Sequence, residues 1–217
     1  GGAAASGGEQ WQAVFGAADW YSGILMGGFP NTTNFLFITY VSSTNPPSNA
    51  ISVSEPVQQG QWTITTSMPK ETTLGTELSA YKNGVFAGSS SSPLQMRNFP
   101  NLVRIGARTT SNPYRYYLNG DIAEIIFFSF YLNDAQRTIV DNYLSAKYDQ
   151  VVGNDFYIGN DASYTRDVQG IGTTDGATNK HSHAGNGRGL QLAEINNTLD
   201  ASNEFLLAGH ATAANSI

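Results

Sequence analysis

The side chains able to do chemistry are few, and their spacing is the first thing to test. In "GDIAEI" the carboxylates Asp121 and Glu124 stand three residues apart. Glycoside hydrolysis needs two carboxylates flanking one bond, which on a strand means even spacing and a shared face. Three residues puts them on opposite faces, so a structural role at a sheet end is the simpler reading. His181-Ser182-His183 has the i, i+2 spacing that would aim two imidazoles from one strand face at a metal. It sits in "GATNKHSHAGNGRG", whose Gly, Asn and Ser content is loop chemistry, and no obvious third ligand lies nearby. Asp155, Asp161, Asp167 and Asp175 could give oxygens to calcium, but none falls in an EF-hand spacing. Bound calcium is left open against solvated loop carboxylates. There is no Gly-x-Ser-x-Gly elbow, and "GNGRG" lacks the strand, lysine and helix of a phosphate loop.

Aromatic residues in turn-rich segments carry the remaining functional signal. Trp20-Tyr21 lies between two expected strands, and "NPYRYY" holds Tyr114, Arg115, Tyr116 and Tyr117 ahead of a hairpin. Exposed rings stack on sugar faces, and Tyr and Arg are common interface anchors. Trp20, Tyr21, Tyr114, Arg115 and Tyr116 are therefore the candidate ligand-binding residues. The competing reading is that alternate rings face the core.

These residues must be held by β structure. Of the 217 residues, only 13% are charged and 40% are hydrophobic, with abundant Gly, Ser, Thr and Asn, which is the makeup of a many-turned β protein and not of a disordered chain. Short apolar or alternating runs recur: "WQAVFG", "SGILMGG", "NFLFITYV", "AISVSE", "QWTITTSM", "ELSAYKNGVFAGS", "LVRIGA" and "YRYYLNGDIAEIIFFSF". In "QWTITTSM" the alternation predicts that Trp62, Ile64, Thr66 and Met68 share one face. Asn83-Gly84 and Asn119-Gly120 supply the positive φ angles of tight hairpins. "IIFFSFY" is apolar on both faces and predicts a strand covered on both sides. A helix follows, with Asn133 as cap, Gln136 completing a capping box, and Ile139, Val140, Tyr143, Leu144 and Tyr148 as its apolar stripe. It is expected to close the domain by packing along its sheet or edge. From about Asn154 the texture loosens, with weak strands in "DVQGIG", "GLQLAEI" and "EFLLAGH".

The net charge of −6 gives no basic footprint for nucleic acid. The absence of cysteine removes disulfides, thiolate metal sites and a cysteine nucleophile. No apolar run reaches the ~20 residues of a membrane helix. The opening "GGAAASGG" lacks the pattern of a signal peptide, and with the ending "EFLLAGHATAANSI" it reads as a piece of a larger protein.

As a set, "WTITTSM", "LSAYKNGVFAGS" and "VRIGARTTSNPYRYYLNGDIAEIIFFSFYLNDAQRTIVDNYLSAKY", roughly residues 61 to 149, resemble the closing half of concanavalin A-like, laminin-G-like jelly rolls. "RDVQGIG" and "NEFLLAGH" resemble a β domain that follows such jelly rolls in large secreted Bacteroidetes surface proteins. The resemblance implies an all-β fold: a jelly-roll sandwich with one C-terminal helix over residues 1–152, then a partial second β domain over 153–217. It also implies a noncatalytic module of an extracellular adhesin or filament protein, exported by the type IX route and mediating surface attachment and subunit contacts. A carbohydrate-binding module is the alternative, and a glycoside hydrolase stands behind it. Where many relatives carry a calcium-linked acid after the Gly-x-Ile isoleucine, this chain has Ala123, which weakens the case for calcium there. The expected partners are other copies or domains of the same protein, or a glycan. An open sheet edge would be completed by another β segment.

Overall fold

The computed structural model describes residues 12–16, 24–28, 34–41, 50–56, 58, 60–96, 103–107, 117–157, 165–185 and 189–210. Among them the chain is mostly β structure with one helix, as the composition requires. It divides into two compact units, Gly1–Gln61 with Thr66–Tyr81 and Phe86–Phe127, and Trp62–Thr65 with Lys82–Val85 and Phe128–Ile217.

In the first unit, β1 (Gln12–Gly16), β2 (Ile24–Gly28), β3 (Asn34–Tyr40) and β4 (Ala50–Pro56) form an antiparallel sheet, with β8 (Arg104–Ile105) added beside β1. The order is β4-β3-β2-β1-β8. Register is fixed by pairs such as Phe37 with Val53 and Thr39 with Ile51. A second sheet is a meander of β5 (Thr65–Thr72), β6 (Gly75–Lys82) and β7 (Val85–Ser92). Along β6, Thr76, Leu78 and Ala80 all point inward, the period-two pattern of a strand with one buried face. Phe37, Val41, Ile51 and Val53 from one sheet and Leu78 and Ala80 from the other form one core cluster, so the two sheets pack face to face. Thr76 is reconciled with this interior by donating its hydroxyl to Leu94 O at 2.8 Å.

The hairpin expected at Asn83-Gly84 is present. Both residues take positive φ, 48° and 73°, the geometry that lets a two-residue turn follow the twist of its strands. "QWTITTSM" is offset from expectation. The strand starts at Thr65, so Ile64 and Met68 are buried as predicted while Trp62 is 55% exposed.

The second unit is built on α1 (Asp134–Tyr148) and β9 (Arg166–Thr173). β9 is the centre of a sheet ordered β10-β9-β13, with β10 at Lys180–His181 and β13 at Glu204–His210. β11 (His183–Gly185) and β12 (Gln191–Ala193) form a separate hairpin. α1 packs on β9, with Ala146, Tyr157 and Val168 forming a core flanked by Tyr143 and Leu207. Gly172 lets β13 come close, since a Cβ there would sit 2.2 Å from the Phe205 ring.

Two expectations are corrected. "IIFFSFY" belongs to no strand among the described residues, and Phe127, Phe128, Phe130 and Tyr131 are 42–60% exposed. An apolar run becomes a strand only where a neighbour supplies its ladder, and no strand among the described residues pairs with it. The capping box of α1 is present as predicted: Asn133 Oδ1 accepts from Gln136 N at 2.9 Å and Gln136 Oε1 from Asn133 N at 3.0 Å. Its buried face, however, is Ala135, Arg137, Thr138, Asp141, Asn142, Ser145 and Ala146. The expected apolar stripe of Ile139, Val140, Tyr143, Leu144 and Tyr148 is only half-buried. Polar residues win the interior because the largest of them, Arg137, Asp141 and Asn142, find partners there.

Candidate functional site

The buried polar seam of α1 organises the surface around the hairpin tip. Arg137 Nη1 lies 2.5 Å from Asp141 Oδ2 and reaches Gly84 O at 3.4 Å. Burial pushes the Asp141 carboxyl up to about 6, against the opposing pull of the Arg137 charge and hydrogen bond. Asn142 donates to Thr138 O (2.8 Å) and Asn154 O (2.7 Å) and accepts from Phe156 N (2.7 Å) and Tyr157 N (3.1 Å). Its amide is fully used. The backbone adds Asn83 N to Ile64 O and Gly153 N to Asn83 O, both 2.8 Å. Segments 62–65, 82–85 and 151–153 are thereby held together.

Apolar side chains project from this frame. Trp62, Val85 and Val151 are 55%, 57% and 84% exposed, on backbone that the bonds above hold in place. Single exposed apolar residues are ordinary, whereas contiguous apolar patches mark association surfaces. Phe128 and Phe130 add an edge-to-face pair with centroids 5.9 Å apart. In the first unit, Phe127 is likewise exposed on one side and lies 4.6 Å from the Phe15 ring on the other.

Among the described residues, those singled out for chemistry are not gathered into one site. Trp20, Tyr21, Tyr114, Arg115 and Tyr116 lie outside the described residues, as does Asp161. Asp121 and Glu124 fall in a stretch assigned to no strand, so neither is set on a sheet face. His181 ends β10 and His183 begins β11, placing the two imidazoles on different strands. Burial, with the nearby His183, lowers the His181 pKa. Ser182 Oγ is 2.9 Å from His183 Nδ1. Among the described residues no three His, Asp or Glu side chains group as a metal site would.

The acidic residues considered for calcium are engaged locally. Asp175 accepts from the Thr178 hydroxyl at 2.6 Å, from the Ala177, Thr178 and Asn179 amides at 2.9–3.0 Å, and from Asn179 Nδ2 at 3.0 Å. These bonds, led by Thr178, hold its carboxyl well below the usual carboxylate range. Asp167 Oδ2 is 2.6 Å from His210 Nε2, and Asp155 accepts from Tyr157 N at 3.1 Å. Asp175 thus closes a turn, Asp167 joins β9 to β13, and Asp155 orders the chain after α1.

One further polar cluster joins residues that no motif in the sequence singles out. Lys180 Nζ lies 3.0 Å from Glu194 Oε1 and 2.8 Å from Asn197 Oδ1. The Lys180 and Glu194 side chains are 14% and 8% exposed. The Leu199 amide, donating at 2.9 Å, and Lys180 hold the Glu194 carboxyl below its ordinary value. No local pattern announces this trio, because Glu194 and Asn197 are 14 and 17 residues from Lys180 and meet it only when the chain after β12 turns back beside β10.

No family model, no curated protein and no solved structure matches the chain.

Proposed function

We propose that this chain is a noncatalytic β module of a large extracellular adhesin or filament protein, contributing surface attachment and contacts between copies or domains of that protein. Residues 1–152 are read as a concanavalin A-like jelly-roll sandwich with one C-terminal helix, and residues 153–217 as a partial second β domain. The observation that carries the reading is the exposed apolar set on a fixed frame, Trp62, Val85 and Val151, together with the exposed pair Phe128 and Phe130. Burying such side chains against a partner is favourable by roughly 1.5–3 kcal/mol each, and aromatic residues are the usual anchors of protein contacts. The low charge and the Gly, Ser, Thr and Asn content fit a secreted β module. Glycan binding through the Trp20 and Tyr114 segments is the second reading, since flat rings there would suit sugar faces.

The test is sedimentation of the purified chain beside a Phe128→Asp, Phe130→Asp double variant. Concentration-dependent association of the native chain that disappears in the variant, with an unchanged far-ultraviolet circular dichroism spectrum, supports the reading. A native chain that stays monomeric at every concentration and binds a glycan on an array favours the second.

A further inference from the structure

Lys180, Glu194 and Asn197 have the composition and geometry of a cross-linking site. The backbone of Lys180 is pinned, since its carbonyl accepts from the Asn133 side chain at 2.9 Å. Its Nζ is within hydrogen-bond distance of both an amide and a carboxylate. Asn196 and Asn197 both adopt positive φ, 55° and 52°, which folds the chain so that the Asn197 amide comes back over the amine. Glu194 is anchored by Leu199 N and so is held beside the amine.

We propose that Lys180 and Asn197 become joined by an intramolecular isopeptide bond, formed by the chain itself with Glu194 moving the proton. At neutral pH Glu194 is a carboxylate and can act as the base. It takes a proton from the Lys180 ammonium, and the freed Nζ lone pair attacks Cγ of Asn197. The proton passes from Glu194 to Nδ2, the Cγ–Nδ2 bond breaks, and ammonia departs, taking up the second proton from Nζ as ammonium. Oδ1 remains as the carbonyl oxygen of the new amide, and Glu194 is again a carboxylate. Nothing is oxidised or reduced, and no co-reactant is needed. An amine is ordinarily too protonated to attack an unactivated amide. Fixed proximity is the effect that overcomes this, since well-oriented intramolecular groups reach effective concentrations of about 10⁵ M or more, and a positioned acid-base group adds roughly 10²–10⁴-fold. In a chain without cysteine, such a bond would staple β10 to the segment after β12 as a disulfide does elsewhere. The bond rests on these contacts and is independent of the adhesin reading.

The experiment is the intact mass of the purified full chain under denaturing conditions, followed by tryptic mapping. The expected result is a mass lower than the sequence mass by one ammonia. It comes with a branched peptide in which the segment Asp167–Arg188, uncleaved after Lys180, is joined to the segment that carries Asn197. Lys180→Arg and Asn197→Ala should each restore the full mass, and Glu194→Gln should leave most of the chain unlinked. A succinimide at Asn83-Gly84, Asn119-Gly120 or Asn186-Gly187 loses the same mass but reverts to aspartate in mild base and gives no branched peptide. A native chain of full sequence mass, or one whose loss traces to a succinimide, overturns the proposal.

Discussion

Arg137 and Asp141 form an ion pair one helical turn apart on α1, Nη1 to Oδ2 at 2.5 Å, with side chains only 6% and 3% exposed. Taking both charges out of water is costly, and the pairing recovers that cost only where geometry and further hydrogen bonds are good. Arg137 has a further acceptor in Gly84 O. Asp141 is the partner for which burial outweighs the pairing, its carboxyl raised to about 6.

A pH dependence with a definite sign follows. Because the folded pKa lies above the ordinary 3.8, the folded state holds a proton that the unfolded chain releases. The Asp141 contribution to stability is present in full below about pH 4 and is lost as pH rises through about 6. The loss is on the order of 2–3 kcal/mol at most. Urea titrations from pH 4 to 7 should show this fall in the native chain, and Asp141→Asn should flatten it. A variant with the same slope as the native chain would place the titration elsewhere.

Asn142 is expected to be the most sensitive position on the helix. Asn142→Leu keeps the volume but strands Phe156 N and Asn154 O, which the side chain now satisfies, and leaves Tyr157 N with Asp155 alone. Unsatisfied buried groups cost about 1–3 kcal/mol each before relaxation and water entry, so a total of roughly 3 kcal/mol is expected. The guanidinium midpoint should drop while its slope stays constant.

How much of this was legible in the sequence depends on whether the signal was local. The Asn83-Gly84 hairpin and the Asn133–Gln136 capping box were readable because each is set by neighbours within four residues. In "QWTITTSM" the burial of Ile64 and Met68 was readable for the same reason, while Trp62, ahead of the strand that starts at Thr65, departs from the alternation. The buried face of α1 was not, because Arg137, Asp141 and Asn142 look solvated until Gly84 and the 154–157 backbone are brought to them. "IIFFSFY" misled in the opposite direction: its composition states a preference for burial, but a strand also needs a paired neighbour, and none of the described strands pairs with it. The Lys180 trio joins residues far apart in sequence and left no pattern to read.

Gly172→Ala should test the close approach of β9 and β13. The new methyl would meet the Phe205 ring at 2.2 Å, and that ring is stacked on Phe156 with centroids 4.5 Å apart. Relief requires moving both rings or the strand. Overpacking of this kind costs about 1–3 kcal/mol, so the melting temperature should fall by several degrees. An unchanged melting temperature would mean that Phe205 has another rotamer open to it.

The claim that this chain works by making contacts with its own kind is tested most directly by the mass and copy number of the native particle that contains it, by native mass spectrometry with cryo-microscopy. A regular assembly of many copies is expected, with Trp62, Phe128 and Phe130 covered at the contacts. A free single chain, with those side chains still open to solvent, would contradict it.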